Sequence, residues 1–312
     1  MKRIEEFRKY YNHTIHPELM RMERLRVRLL RLIFVSFLLL AGLLLYELYI
    51  NIPALTLSLS LPIGMYLFFL FRRVRQFRLT FKPNIINLIL DFIDDGMNYD
   101  NDHPLVYRPE RFIPQHAFLN SKIFDCEAPT IYQGEDHISG KVGNMDFEMC
   151  ELTVQDESKA GSGLQDVFRG VFMQATFPEN ARGRIIIWPR SRRHRHFRAI
   201  REFNWEEGEN VDHEITNDEF RAAYMTYATH STHVIGILSE PMQQAIIDYR
   251  KATGKEIYMS FIDRQIYAAV TEDKDLLEPN LWRSNLSFEL IREFFEDIHM
   301  LLRIAEDFDQ TH

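Results

Sequence analysis

The sequence predicts an α+β protein in which an N-terminal two-helix transmembrane hairpin is followed by a cytosolic domain with a mainly antiparallel sheet and packed helices. Three observations predict it. Two long uncharged apolar stretches lie close together near the N-terminus, each bounded on its outer side by arginines. Farther along, short alternating apolar and polar runs follow one another without βαβ alternation, which argues for antiparallel strands. The charge also divides: residues 1–82 carry 14 Lys and Arg against five acids, and residues 83–312 carry 23 against 40. A basic first part suits an anionic surface, and an acidic second part stays soluble by self-repulsion.

Residues 1–31 form the predicted cytosolic N-terminal segment, with a separate short helix over residues 1–16 and a second helix from Pro17 to Arg31 that runs straight into the membrane. No cleavable signal peptide is expected, since a long charged segment precedes the first apolar run. That run, Leu32–Tyr46, is dominated by Leu, Ile, Val and Phe, each favourable to insertion at a helix centre by ~0.3–0.6 kcal/mol. Leu48–Phe71 is a second uncharged stretch, long enough for a span of about 20 residues. It is weaker, with Thr56, Ser58, Ser60 and Gly64, and LTLSLSL alternates as a strand would. A helix is still expected, because an open strand in lipid leaves its backbone groups unpaired. Asn51 is a candidate cap, Pro53 falls in the first turn, and Pro62 predicts a kink.

The flanks orient this 32–71 hairpin. Arg21, Arg24, Arg26, Arg28 and Arg31 precede it, Arg72, Arg73, Arg75, Arg78 and Lys82 follow it, and the connecting turn has no basic residue. Both termini are therefore expected in the cytoplasm. Residues 72–104 predict a juxtamembrane helix, with apolar positions 85, 86, 89, 92 and 93, and then a linker rich in acids and turn formers.

The remaining residues, 105–312, are enough to bury a core of their own. Strands are expected in KVGNMDFEMCELTVQDE, VFRGVFMQATF and GRIIIW. Ser239 and Pro241 open a helix that stops at Gly254. EIYMSF and QIYAAV read as a hairpin, and YMTYATHSTHVIGIL as strand, turn and strand. A final helix runs from about Ser287 to Phe308, with Phe288, Ile291, Phe295, Ile298, Leu302 and Ala305 on one face.

Four of these segments carry a resemblance. VFRGVFMQATF, GRIIIWP, GKEIYMSFIDRQIYAAV and KDLLEPNLWRS together resemble the bacterial membrane proteins catalogued as domain of unknown function 3137, over roughly residues 105–312. The resemblance implies a bacterial cytoplasmic membrane location. It implies no activity, cofactor or catalytic residue.

The most unusual local composition is RSRRHRHFR, which reads as a basic loop within an acidic domain. Arg190, Arg192, Arg193, Arg195 and Arg198 are the candidate ligands for an anion such as a lipid headgroup; the alternative is that they neutralise nearby acids such as Glu206, Glu207 and Glu209. His230 and His233 are weak metal candidates at a turn, with His213 and Glu214 as possible completions. Cys126 and Cys150 stand outside any CxxC pair, which fits a reducing compartment and buried, unreactive thiols. The acids at 91, 94, 95, 100 and 102 lack calcium-loop spacing. There is no P-loop, no nucleophile elbow and no HExxH. The expected partners are the lipid bilayer, anionic headgroups and a protein, with no cofactor and no specific nucleic acid. The expectation is a membrane-anchored binding or adaptor module; the alternative is a membrane-anchored enzyme acting on lipid or envelope precursors.

Overall fold

The computed structural model describes residues 2–50, 53–97, 104–157, 163–177, 183–229, 232, 234–262, 264–273 and 277–311. The chain divides into two compact units, Met1–Phe92 with Leu277–Ile291, and Ile93–Leu276 with Arg292–His312.

In the first unit, helix α1 (Lys2–Tyr10) passes through a π-helical turn (Tyr11–Ile15) directly into α2 (His16–Ile50). The first 16 residues are therefore not a separate helix. Pro17 explains the turn, because it has no N–H for the carbonyl one turn back and its ring crowds that carbonyl; a wider π turn relieves both. Phe7, Tyr11, Ile15, Leu19 and Met22 form one buried stripe along this rod, and Phe7 meets Phe92 with ring centres 5.2 Å apart.

Helix α3 (Pro53–Met97) begins with Pro53 in its first turn and continues through Pro62 and Pro83. What reads as a juxtamembrane helix is thus the last part of α3, and the proposed cap Asn51 lies outside the described residues. Two helices in this unit are long and apolar enough to cross a membrane, and only 6% and 11% of their apolar windows are buried. Phe34, Leu45, Leu48, Leu57 and Leu61 are each more than two-thirds exposed, the reverse of a core helix in water.

The second unit is built on a nine-stranded sheet in the order β1-β2-β3-β4-β9-β8-β5-β7-β6. All its pairings are antiparallel. Strand β1 is Val106–Arg108, and after the short helix α4 (Gln115–Asn120) come β2 (Ile131–Val142), β3 (Met145–Glu157), β4 (Leu164–Thr176) and β5 (Arg184–Pro189). The segment KVGNMDFEM turns within itself: Val142 pairs with Met145 across Gly143 and Asn144, a two-residue hairpin whose Gly143 has φ +58° as such turns require. Farther along β4, Gly170 has φ +145°, and the Val270 carbonyl occupies the place a Cβ would take.

Beyond β5 lie a 3₁₀ turn (Arg190–Arg195), α5 (Phe197–Trp205), β6 (Gly208–Asn210), a second 3₁₀ turn (Asp212–Glu214), α6 (Asp218–Ala223) and β7 (Tyr224–Thr229). The expected basic loop is thus helical. The expected second strand after β7 is instead a helical turn, α7 (Val234–Ile237). Helix α8 (Glu240–Thr253) has Ser239 accepting from the Met242 N–H at 3.2 Å and Gly254 closing it at φ +73°. The hairpin β8 (Ile257–Ile262) and β9 (Gln265–Thr271) and the last helix α9 (Phe288–Thr311) complete the chain.

Strands β5, β7, β8 and β9 are buried continuously rather than in alternation, so this part of the sheet is covered on both faces. Phe118, Phe124, Phe168, Phe172, Trp188, Tyr258 and Tyr267 form one buried cluster, and each large apolar side chain removed from water contributes ~1.5–3 kcal/mol. Trp188 adds a hydrogen bond from its Nε1 to the Ile123 carbonyl at 2.6 Å, so its one polar group is not orphaned.

Candidate functional site

The basic segment separates into three kinds of residue. Arg190 donates to Asp212 Oδ2 at 2.7 Å and to the carbonyls of Arg221 and Tyr224 at 2.9 and 2.8 Å. It ties the 3₁₀ turn to the elements around β7. Arg198 donates to Glu202 at 2.7 Å and to Glu127, with Asp125 at 3.9 Å. Both guanidinium groups are occupied within the protein, as the neutralising alternative expects, although their partners are other acids than Glu206, Glu207 and Glu209.

Arg192, Arg193 and Arg195 make no ion pair among the described residues; Arg193 and Arg195 are exposed and Arg192 half-buried. Ser191, between them and Arg190, donates to Glu256 Oε1 at 2.7 Å, and Arg250 holds the same carboxylate at 2.9 and 3.1 Å. Burial alone would raise the Glu256 carboxyl, but Arg250 and Ser191 outweigh it and hold it below the usual range. The base of the turn is therefore fixed, with Arg193 and Arg195 exposed and Arg192 half-buried near enough to Glu256 to help hold its carboxylate charged.

Helix α5 extends this surface. Ala199, Ile200 and Phe203 face the core; Phe197 and Trp205 are 67% and 84% exposed, and Arg201, also exposed, lies between them at i+4 spacing. A surface of arginines interleaved with exposed aromatic rings can bind an anion and cover it with apolar area.

His196 does not belong to that surface. It is 3% exposed, beside Phe124, Trp188 and Tyr258 at ring separations of 6.4, 6.1 and 5.4 Å. Neither ring nitrogen completes a well-formed hydrogen bond among the described residues; the Ile123 carbonyl, which also accepts from Trp188, lies near enough to favour the charged form weakly. Burial pushes the imidazole down to about 4, with Arg195, His194 and Arg192 adding to the effect. It is a neutral core residue at neutral pH.

The sequence reading missed a buried charge network. Lys255, in the turn after α8, reaches Asp297 Oδ2 at 2.7 Å, Glu293 Oε1 at 3.2 Å, and Glu272. Tyr249 donates its hydroxyl to the other oxygen of Asp297. Burial would lower the ammonium, but Asp297 and Glu272 prevail and raise it. Burial likewise raises Asp297, to about 6, against the opposing pull of Lys255. Three acids meet one lysine, with Asp297 and Glu272 buried and Glu293 partly exposed at the rim, so the protonation of the group is shared among coupled carboxylates. The signal was faint: Lys255 and Asp297 are 42 positions apart.

A second acidic group forms where β2 bulges against β3. Glu135, Asp136 and Glu151 place ligand oxygens within 4.8 Å of one another, and Tyr107 donates to Asp136 Oδ1 at 2.5 Å. Asp136 has φ +59°, which aspartate tolerates better than most residues. Only strand register joins residues 135 and 151, so spacing in sequence gave no warning.

Of the histidine candidates, His213 is exposed in the second 3₁₀ turn, and His230 and His233 lie outside the described residues. Burial first, then Asp156, pushes the Cys126 thiol up to about 11, and burial pushes Cys150 to about 12. Neither is a thiolate at neutral pH.

Among solved structures, the chain is similar to "crystal structure of the mycobacterial trehalose monomycolate transport factor A, TtfA", at 9% identity and a TM-score of 0.29, over 64% of this chain and 88% of that one. At that TM-score the likeness carries no argument about this protein. No curated protein matches the chain. Residues 166–310, from within β4 to near the end of α9, match the model of the family described as "Protein of unknown function (DUF3137)", which is the family those four segments resemble.

Proposed function

We propose that the chain is a membrane-anchored module whose C-terminal α+β unit binds an anionic partner through Arg192, Arg193, Arg195 and the outer face of α5. The observation that carries this reading is the division of labour among the arginines: Arg190 and Arg198 are spent on the protein's own acids, whereas the three between them make no ion pair among the described residues and two of them, Arg193 and Arg195, are exposed on a turn fixed from below. Exposed Phe197 and Trp205 beside them suit the acyl–headgroup boundary of an anionic lipid, where charge and aromatic area act together. A protein partner rich in acids is the other occupant of this chemistry.

Placement follows from the first unit. The outward apolar faces of α2 and α3 call for lipid, and the arginines bounding them call for the cytoplasmic side. The reading is therefore a two-pass protein of a bacterial cytoplasmic membrane with both termini in the cytoplasm. The enzyme alternative draws on the raised Asp297, but this carboxylate is fully buried and shared between Lys255 and Tyr249, which supports a structural tie for α9.

The test is charge reversal at Arg192, Arg193 and Arg195 in the full chain, held in neutral detergent and titrated with a short-chain anionic phospholipid. Each arginine near a lipid surface contributes about 1 kcal/mol, so the triple variant should lose affinity by at least about tenfold. Unchanged affinity would remove this surface from the proposal.

A further inference from the structure

The KDLLEPNLWRS segment, one of the four that carry the family resemblance, has no part in the surface above. Its described residues belong to the first unit, with the apolar helices. Arg26 of α2, whose side chain is only 8% exposed, is gripped by Glu23 at 2.9 and 2.6 Å and donates to the Leu281 carbonyl at 2.5 Å. Glu23 also accepts from the Asn285 N–H at 3.5 Å, and Lys82 of α3 reaches Glu278 at 3.2 Å. The loop is thus bound to both helices of the hairpin.

It is equally well built within itself. The Asn280 N–H donates to Asn285 Oδ1 at 2.8 Å, and Asn285 returns a bond to the Asn280 carbonyl at 3.0 Å. The Asn280 side chain then accepts from the N–H groups of both Trp282 and Arg283 at 2.9 Å. All this order serves to present a tryptophan that touches almost nothing: Trp282 is 83% exposed, and Arg283 beside it is exposed too. A large, mostly apolar ring left in water on a backbone fixed by these bonds is unfavourable, so it implies a surface that the ring meets.

The position along α2 identifies that surface. Arg26 precedes Leu32, the first residue of the apolar run, by six residues of unbroken helix, about 9 Å at 1.5 Å per residue. A tryptophan side chain extending from that level reaches the headgroup layer, where tryptophan is favoured for its apolar body and polar N–H. Arg24, Arg28 and Arg31 are exposed nearby on α2, and with Val27 and Leu32 they line a shallow groove. Together with Arg283 they supply the charge to attract anionic lipid.

We infer that the Leu281–Arg283 tip is an additional membrane contact, in which Trp282 lies among the headgroups of the bilayer that the hairpin crosses. The loop so becomes a collar that fixes how deep the hairpin sits. The inference rests on the membrane anchor proposed above, and one preparation reads the two separately. The full chain, in a Trp205→Phe background, is reconstituted into vesicles of phosphatidylcholine and phosphatidylglycerol, some carrying lipids brominated at shallow or deep acyl positions. Flotation with the vesicles reports the anchor. Tryptophan quenching in the floated protein reports Trp282, with buried Trp188 as a constant background.

The expected result is quenching by shallow bromines rather than deep ones, abolished by Trp282→Phe and weakened by Asn280→Ala, while all three proteins still float. Accessibility of Trp282 to aqueous iodide, with no quenching by either lipid, would overturn the inference and leave the anchor standing. Shielding from both lipid and iodide would also overturn it, assigning the tip to a protein surface.

Discussion

Lys255 Nζ lies 2.7 Å from Asp297 Oδ2, and Asp297 has no solvent exposure. The pair joins the turn after α8 to α9, and its two ends differ in what they would leave behind. Lys255→Met strands three carboxylates, and removing one partner of a buried pair costs about 3–5 kcal/mol. Asp297→Asn keeps an acceptor for Tyr249 and leaves the lysine with Glu272 and Glu293, so its cost is expected to be smaller, about 1–2 kcal/mol. Chemical denaturation of both variants checks the order; equal losses would mean the charges contribute nothing beyond shape.

Between pH 4 and 6.5 two buried groups contribute opposing slopes to stability. His196 is depressed to about 4, so its contribution is present above its ordinary value and fades as pH falls towards 4. Asp297 is raised to about 6, so its contribution is present below its ordinary value and fades as pH rises towards 6. Each is worth about 3 kcal/mol at ~1.4 kcal/mol per unit. His196→Phe should therefore lose stability with rising pH in this window, and Asp297→Asn should gain it. Melting at several pH values in each variant tests the signs.

Arg190→Ala is expected to cost about 1–3 kcal/mol, since it deprives Asp212 and two backbone carbonyls of their donor. Arg193→Ala, three residues away and without an ion pair among the described residues, should stay within about 0.5 kcal/mol. A thermal-shift comparison separates them, and the reverse ranking would refute the assignment of roles within this segment.

Gly170→Ala combines an unfavourable φ with a Cβ driven against the Val270 carbonyl. A loss of about 2 kcal/mol or more is expected, with β4 parted from β9. Faster amide exchange at Val171 and Val270 would locate the damage.

Local patterns were readable where local physics decided the outcome. Ser239, Pro241 and Gly254 bound α8 as caps should, and the hairpin after Gly254 lies where its alternation put it. The sheet order was hidden, because β5 sits between β8 and β7 and alternation says nothing about neighbours. The prolines at 17 and 83 misled in the other direction: a π turn and continued packing carry the helices through. In the basic segment, residue type indicated a surface but could not sort Arg190 from Arg193, since the acids that capture Arg190 and Arg198 come from other elements. His196 lies in the same segment, and only the burial among aromatic rings around it marks it as neutral.

The β2 bulge has a bearing on how such chains live together at high density. Strand β1 covers only three residues of the outer side of β2, and the Asp136 N–H next to them donates to the Pro109 carbonyl at 3.1 Å. The irregularity between Glu135 and Ile138 interrupts the ladder there and places carboxylates on the rim, so an incoming strand finds neither a straight template nor a neutral one. An edge built in this way resists the addition of a further strand.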